Sequence, residues 1–189
     1  MSRTIVAFSA SPRRKGNSDI LADHILGGAQ QAGASVEKVR LHGLAIGPCR
    51  ACDVCQQSVD TPCVQHDDMP GLLDKVRGAD GIVLASPIYF FSVNAQMKLF
   101  LDRLYALFGM EVFDVLEGRP VAIALAYGDP NPLHSGAMNA LRMFQDACTF
   151  LRMELCGCVH ASCADEGVVL DRPDLLEEAR ELGRKVASA

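Results

Sequence analysis

Ser9-Ala10-Ser11-Pro12-Arg13-Arg14-Lys15-Gly16-Asn17-Ser18 separates two kinds of pattern in the chain. Before it, Thr4 to Phe8 is an apolar run rich in Ile, Val and Phe, as in a buried strand; after it a helical repeat starts near Asp19. The stretch therefore reads as a strand-to-helix turn. Asn17 or Ser18 is the expected helix cap, and Asp19 suits the positive end of the helix. The N–H groups of a first helical turn attract anions. Hydroxyls of Ser9, Ser11 and Ser18, the Asn17 amide, and the charges of Arg13, Arg14 and Lys15 add donors for a dianionic phosphate. Neither the Gly-x-Gly-x-x-Gly spacing nor a Gly-Lys-Ser/Thr ending is present, so a single phosphate suits the loop best. A polar surface turn with a solvated basic cluster fits the same ten residues equally well.

Outward from this loop, Leu21, Ile25, Ala29 and Ala32 keep helical spacing up to Gly33, and Ser35 to Leu41 turns to strand character. Glu37, Lys38 and Arg40 mark that strand as a sheet edge. Asp67 and Asp68 read as capping carboxylates for a helix through Leu72, Leu73 and Val76, ending at Gly78. Gly81 to Ala85, with Ile82, Val83 and Leu84 in succession, reads as a central parallel strand buried on both faces. Such strands deliver their carboxyl ends to ligands, and here Ser86-Pro87-Ile88-Tyr89-Phe90-Phe91-Ser92 follows. A flat ring system needs apolar or aromatic walls and backbone hydrogen bonds, which this segment can supply; Phe90 and Phe91 fit a core or subunit interface as well.

The remainder repeats the alternation. Asn94 opens an amphipathic helix with Met97, Phe100, Leu101, Leu104 and Phe108 on its apolar face, and Lys98 and Asp102 at i,i+4 spacing. Arg119 to Ala126 reads as a fourth strand, followed on the ligand edge by Tyr127-Gly128-Asp129-Pro130-Asn131-Pro132. A helix over Ser135 to Met153, a fifth strand over Leu155 to His160 and a helix over Pro173 to Val186 complete the chain. Five strands alternating with helices define an α/β domain over residues 1–189.

Composition narrows the function classes. A chain of 189 residues, 49% hydrophobic, buries one core. Its net charge of −5 argues against a nucleic-acid surface. Met-Ser-Arg-Thr runs into a strand without a signal pattern, which predicts a cytoplasmic protein. No membrane span is expected: the longest apolar region, Gly81 to Leu101, is broken by Ser86, Pro87, Ser92, Asn94, Gln96 and Lys98.

About 25 residues with little regular pattern separate Leu41 from the helix near Met69, a length that normally serves a function. Within the cysteine-rich part, at about 47–66, Cys49, Cys52 and Cys55 stand at i, i+3 and i+6, and Cys63 follows after seven residues. Three such sulfurs can turn toward a common centre, with the fourth completing a four-thiolate site. The compact triplet favours a [4Fe–4S] cluster over zinc, whose four-cysteine sites come as two separated pairs; zinc, a redox disulfide and unliganded thiols remain alternatives. Cys156 and Cys158 are expected to share one face of the fifth strand and, with Cys148 and Cys163, to be buried thiols.

Taken together, Ser9-Ala10-Ser11-Pro12-Arg13 with Gly16-Asn17-Ser18, the four cysteines, and Ser86-Pro87-x-Tyr89 followed by Lys98 and Asp102-Arg103 resemble the iron–sulfur flavoproteins. That family sits among the flavodoxin-like NAD(P)H-dependent FMN reductases. The resemblance implies a doubly wound five-stranded parallel sheet of order 2-1-3-4-5. It also implies FMN, with its phosphate in the loop of Ser9, Ser11, Pro12, Arg13, Gly16, Asn17 and Ser18. The isoalloxazine would lie near Pro87, Ile88, Tyr89, Phe90, Phe91, Ser92, Tyr127 and Gly128. A cluster on Cys49, Cys52, Cys55 and Cys63, a homodimer or homotetramer, NAD(P)H or ferredoxin as donor, and a small-molecule acceptor are implied likewise. Ala10 stands where relatives often have Gly, and the gap before Cys63 is long. The expected function is electron exchange between cluster and FMN; a cluster-free FMN or quinone reductase and a Cys49–Cys63 disulfide sensor are the rivals.

Overall fold

The structure, a computed structural model, describes residues 2–57, 63–108 and 115–189. Residues 58–62 of the expected cysteine loop lie outside them. In chain order the elements are β1 (Thr4–Ser9), α1 (Asn17–Gln31), β2 (Ser35–Arg40), α2 (Met69–Gly78), β3 (Gly81–Tyr89), β4 (Ser92–Val93), α3 (Ala95–Arg103), β5 (Pro120–Tyr127), α4 (Pro132–Ser135), α5 (Ala137–Phe150), β6 (Glu154–Ser162) and α6 (Pro173–Ser188). Short 3-10 turns stand at Val54–Gln56, Leu104–Leu107 and Val168–Asp171.

β1, β2, β3, β5 and β6 form one parallel sheet in the order β2-β1-β3-β5-β6, which is the expected 2-1-3-4-5 path; the two-residue β4 pairs antiparallel with the end of β3. Period-2 alternation sorts the strand residues onto two faces. Val6, Phe8, Ile82, Leu84, Val121, Ile123 and Leu125 meet α2, α3 and α5, with Phe8 stacked on Phe100 at 4.6 Å. Ile5, Ala7, Val83, Ala85, Ala122 and Ala124 meet α1 and α6. Alanines dominate this second face, so the two helices lie close to the sheet. They also lie close to each other: a Cβ on Gly28 would fall 1.9 Å from the Arg180 carbonyl oxygen, and one on Gly183 would fall 1.8 Å from that of Ile25.

Four local expectations are corrected. α1 is capped by Gly16, not by Asn17 or Ser18. β3 does not stop at Ala85 but continues through Pro87 to Tyr89, pairing Pro87 with Ala126, because the following hairpin extends it. The expected helix over Ser135 to Met153 is broken at Gly136, whose φ of +84° ends α4 before α5 begins. Cys156 and Cys158 face opposite sides of β6. A register shift opposite Val121 and Ala122 skips Cys156, which turns into the α1/α6 layer while Cys158 packs on the other core. Cys148, Cys156 and Cys163 are buried and Cys158 half-buried.

Candidate functional site

The parallel strands end on one edge of the sheet, and β1 and β3, between which the connections diverge to opposite faces, end there together. A cleft opens at this place, lined by Ser11, Arg13, Gly16, Asn17 and Ser18 from the first loop, Pro87, Ile88 and Tyr89 from β3, and Tyr127 and Gly128 after β5. Ten of the fifteen residues expected to bind a cofactor therefore share one cleft. Ser9, Pro12, Phe90, Phe91 and Ser92 do not line it.

Each loop residue has a local reason for its place. The Ser11 hydroxyl donates to the Arg13 carbonyl at 2.8 Å and accepts from the Arg13 N–H at 3.2 Å, closing a tight turn. Gly16 packs against it, for a Cβ there would lie 2.4 Å from Ser11 Oγ. No side chain caps α1. The helix therefore presents its first-turn N–H groups to the cleft without competition from a capping oxygen. Ser18 Oγ is buried at this end and has no hydrogen-bond partner. Asn17 is otherwise engaged: its amide donates to the Asp165 carbonyl at 2.7 Å and accepts from the Val169 N–H at 3.3 Å, tying the loop before α6 to the cleft.

Ser9 faces away. Its hydroxyl donates to Asp19 Oδ1 at 2.5 Å, and both residues are fully buried. Asp19 is the anchor that periodicity concealed: Lys38 Nζ lies 3.1 Å and an Arg40 guanidinium nitrogen 3.7 Å from Oδ2. The charges that mark β2 as an edge strand thus also compensate a buried carboxylate beneath the loop. A second concealed group is Asn94, which caps α3 through the Met97 N–H, meets Ser86 Oγ at 3.3 Å, and donates to the Ala10 carbonyl at 2.7 Å.

Phe90 and Phe91 form a two-residue hairpin loop between Tyr89 and Ser92. Both have left-handed backbone, φ +46° and +70°, which glycine and asparagine normally provide. Gly136 braces the turn: a Cβ there would fall 2.2 Å from Phe91 Cα. The Phe90 ring is 95% exposed, so it meets neither core nor cleft.

Cys49 and Cys52 are exposed and Cys55 and Cys63 half-buried. Burial pushes the Cys55 thiol up; the adjacent Gln56 amide pulls it down, and the charges of Cys63, Cys52 and Cys49 push it further up. Among the described residues no three metal-ligating side chains converge on an ion position. What is built is the neck of the loop. Ala45 N–H meets Asp68 at 2.7 Å, Gly47 N–H meets Asp67 at 3.0 Å, and Gln65 donates to the Pro48 carbonyl at 3.1 Å. From α3, Arg103 forks onto Asp67 at 2.6 and 3.1 Å and onto the Gly47 carbonyl at 2.9 Å. Asp67 is thus more than the capping carboxylate expected, although it does accept the Met69 N–H at 3.0 Å. Cys49 also lines an apolar cavity between α3 and α5 with Leu104, Tyr105 and Phe150.

Fold and cleft together define a flavodoxin-like α/β protein with its ligand edge at the β1/β3 switch point. A family model described as NADPH-dependent FMN reductase matches residues 3–160. An iron–sulfur flavoprotein of Archaeoglobus fulgidus is 30% identical over 97% of this chain and 79% of its own length. Another, of Methanocaldococcus jannaschii, is 35% identical over 52% of this chain and 50% of its own, so the match spans about half of that relative. The chain belongs to the iron–sulfur flavoprotein family, within the FMN reductase superfamily, and is a flavin-dependent oxidoreductase. In fold it is similar to an NAD(P)H:quinone oxidoreductase from Methanothermobacter marburgensis, with a TM-score of 0.74 at 17% identity over 98% of both chains. Among the described residues no helix is long and apolar enough to cross a membrane.

Proposed function

We propose that this protein relays electrons between a [4Fe–4S] cluster on Cys49, Cys52, Cys55 and Cys63 and an FMN in the β1/β3 cleft, and from there to a small or protein acceptor. When bound, FMN exchanges electrons in pairs with a hydride donor or singly with a metal centre, and the cluster carries them singly. Every other role falls to the chain. The α1 N-terminus and Ser18 hold the phosphate, with Arg13 at the rim; Pro87 to Tyr89 and Tyr127–Gly128 wall the ring. The single observation that carries the reading is the buried Ser18 hydroxyl without a partner, beside a helix end with no capping side chain. A phosphate oxygen satisfies both. For the cluster, support comes from the donor chemistry of four thiols on one loop with a clamped neck, and from the names of the relatives.

In this reading the protein works in the cytoplasm as a homodimer or homotetramer, with reduced ferredoxin or NAD(P)H as donor. The test is anaerobic titration of the purified protein with each donor while flavin and cluster absorption are followed. Reduction of both chromophores in one protein supports the relay. Bleaching of flavin in iron-free protein at the same rate supports a cluster-free NAD(P)H-dependent FMN or quinone reductase, the reading favoured by the lack of converging metal ligands among the described residues.

A further inference from the structure

Asp19 follows Ser18 in the first turn of α1, where the reading above seats the phosphate of FMN, and it has the same sign of charge as that phosphate. A helix start welcomes one anion, but two close together repel each other. An asparagine would offer Ser9 the same acceptor oxygen without the charge. What the carboxylate does beyond that is shown by its other neighbours.

The two oxygens divide the work. Oδ1 accepts the Ser9 hydroxyl at 2.5 Å, tying the last residue of β1 to the first turn of α1 and so joining both ends of the loop between them. Oδ2 gathers cations from β2: Lys38 Nζ at 3.1 Å and an Arg40 guanidinium nitrogen at 3.7 Å. The other terminal nitrogen of Arg40 lies 3.4 Å from the Ser11 carbonyl, and the Leu41 N–H donates to the Ser9 carbonyl at 2.8 Å. Ser11 in turn closes the tight turn with Arg13 on which Gly16 packs. Asp19 is fully buried and both cations mostly so, whereas Asp23, the other partner of Lys38 at 2.6 Å, is half-exposed and screened by water. Two cations thus face one buried carboxylate, which leaves positive charge in surplus beneath the loop.

We propose that Asp19, Lys38 and Arg40 are positioning residues for a phosphorylated flavin: the carboxylate gathers the two cations under the loop, Arg40 steadies the Ser11 turn through its carbonyl, and the surplus positive charge favours a dianion. The layer acts on the phosphate, so it discriminates FMN from riboflavin. This rests on the phosphate reading above and adds to it a source of selectivity in residues of β2 and α1 outside the lining of the cleft.

The test titrates FMN and riboflavin separately into the flavin-free full chain, followed by flavin fluorescence, and takes the ratio of the two affinities; urea midpoints of the same proteins report stability. Wild type is compared with Asp19→Asn, Arg40→Gln and Arg40→Lys, and with Ser18→Ala as the marker of direct phosphate contact. Wild type is expected to prefer FMN, and Ser18→Ala to lower the ratio about tenfold. Asp19→Asn removes a negative charge from the phosphate end of the helix, so repulsion alone would tighten FMN binding. The layer requires the opposite: a ratio lower by about tenfold, with riboflavin binding little changed. Arg40→Gln should lower the ratio similarly, and Arg40→Lys, which keeps the charge without the fork, should lower it less. The inference is overturned if Asp19→Asn binds FMN more tightly, if the ratio stays at the wild-type value, or if FMN and riboflavin are weakened equally, as a purely structural role would give; a lowered ratio in Ser18→Ala then leaves the phosphate reading standing. A wild type that binds both flavins equally removes that reading and the inference with it. If Asp19→Asn does not fold, Lys38→Gln and Arg40→Gln leave the Ser9–Asp19 bond in place, and an unchanged ratio in both overturns the assignment.

Discussion

Asn94 Nδ2 donates to the Ala10 carbonyl oxygen across 2.7 Å, joining the start of α3 to the first residue after β1. The same side chain caps α3 and meets Ser86, so one buried amide fixes the spacing of β1 and β3 where the cleft opens. Asn94→Ala removes a helix cap and strands a buried carbonyl, with an expected cost of about 2–3 kcal/mol in urea unfolding. FMN affinity should fall as well, measured by fluorescence titration, because Ala10 leads into Ser11.

Ser18 separates ligand binding from folding. Its hydroxyl is buried and unpartnered in the protein, so Ser18→Ala should leave the stability of the flavin-free form unchanged or slightly raised. FMN affinity should fall about tenfold, the worth of one hydrogen bond to a charged oxygen. Parallel losses of stability and affinity would mean that the hydroxyl serves the fold instead.

The Asp67–Arg103 pair sets an acid limit. Burial raises the Asp67 carboxyl, but the hydrogen bond from Arg103, the Gly47 and Met69 N–H groups and the Arg103 charge prevail and hold it below its ordinary 3.8. A carboxylate depressed in the folded state contributes stability that is full above 3.8 and is lost as pH falls through the folded value. Asp67→Asn should therefore cost about 3 kcal/mol at neutral pH, where it leaves a buried guanidinium uncompensated, and its deficit relative to wild type should shrink in acid. Urea midpoints across pH measure this.

The cysteines should divide sharply by reactivity. Burial raises Cys148 to about 11 and Cys158 to about 12, the latter with help from the Glu178 charge. At about pH 8 both are almost wholly thiol and resist alkylation. Cys49 and Cys52 are exposed and should label first in metal-free protein, as read by mass spectrometry of digests.

Much of the fold is written in local patterns. Thr4 to Phe8, Gly81 to Ala85 and the cysteine triplet carry short-range signals, so the strands, their alternation with helices and the unusual loop are legible. What is not legible depends on residues far apart. Asp19 looks like an ordinary helix-start acid until Ser9, Lys38 and Arg40 are seen around it. Arg103 sits at a helix end, where a basic residue needs no further reason, and nothing in its neighbourhood announces Gly47 or Asp67. The phase of Cys156 was hidden for another reason: a one-residue irregularity reverses side-chain direction without leaving a sequence mark.

Close packing of α1 on α6 gives the sharpest test of the layer away from the site. Gly28→Ala would drive a Cβ into the Arg180 carbonyl and separate the helices, costing about 2–4 kcal/mol in thermal or urea unfolding. The cleft lies on the sheet edge, so FMN affinity should change little at temperatures where the variant is folded.

The most direct measurement is the content of iron, acid-labile sulfide, zinc and FMN per chain in protein purified without oxygen, taken together with its visible spectrum. About four iron, four sulfide and one FMN per chain, with a broad cluster absorption that bleaches on reduction, is the expected result. FMN bound stoichiometrically while the four cysteines hold zinc or nothing, even after reconstitution with iron and sulfide, would contradict the relay.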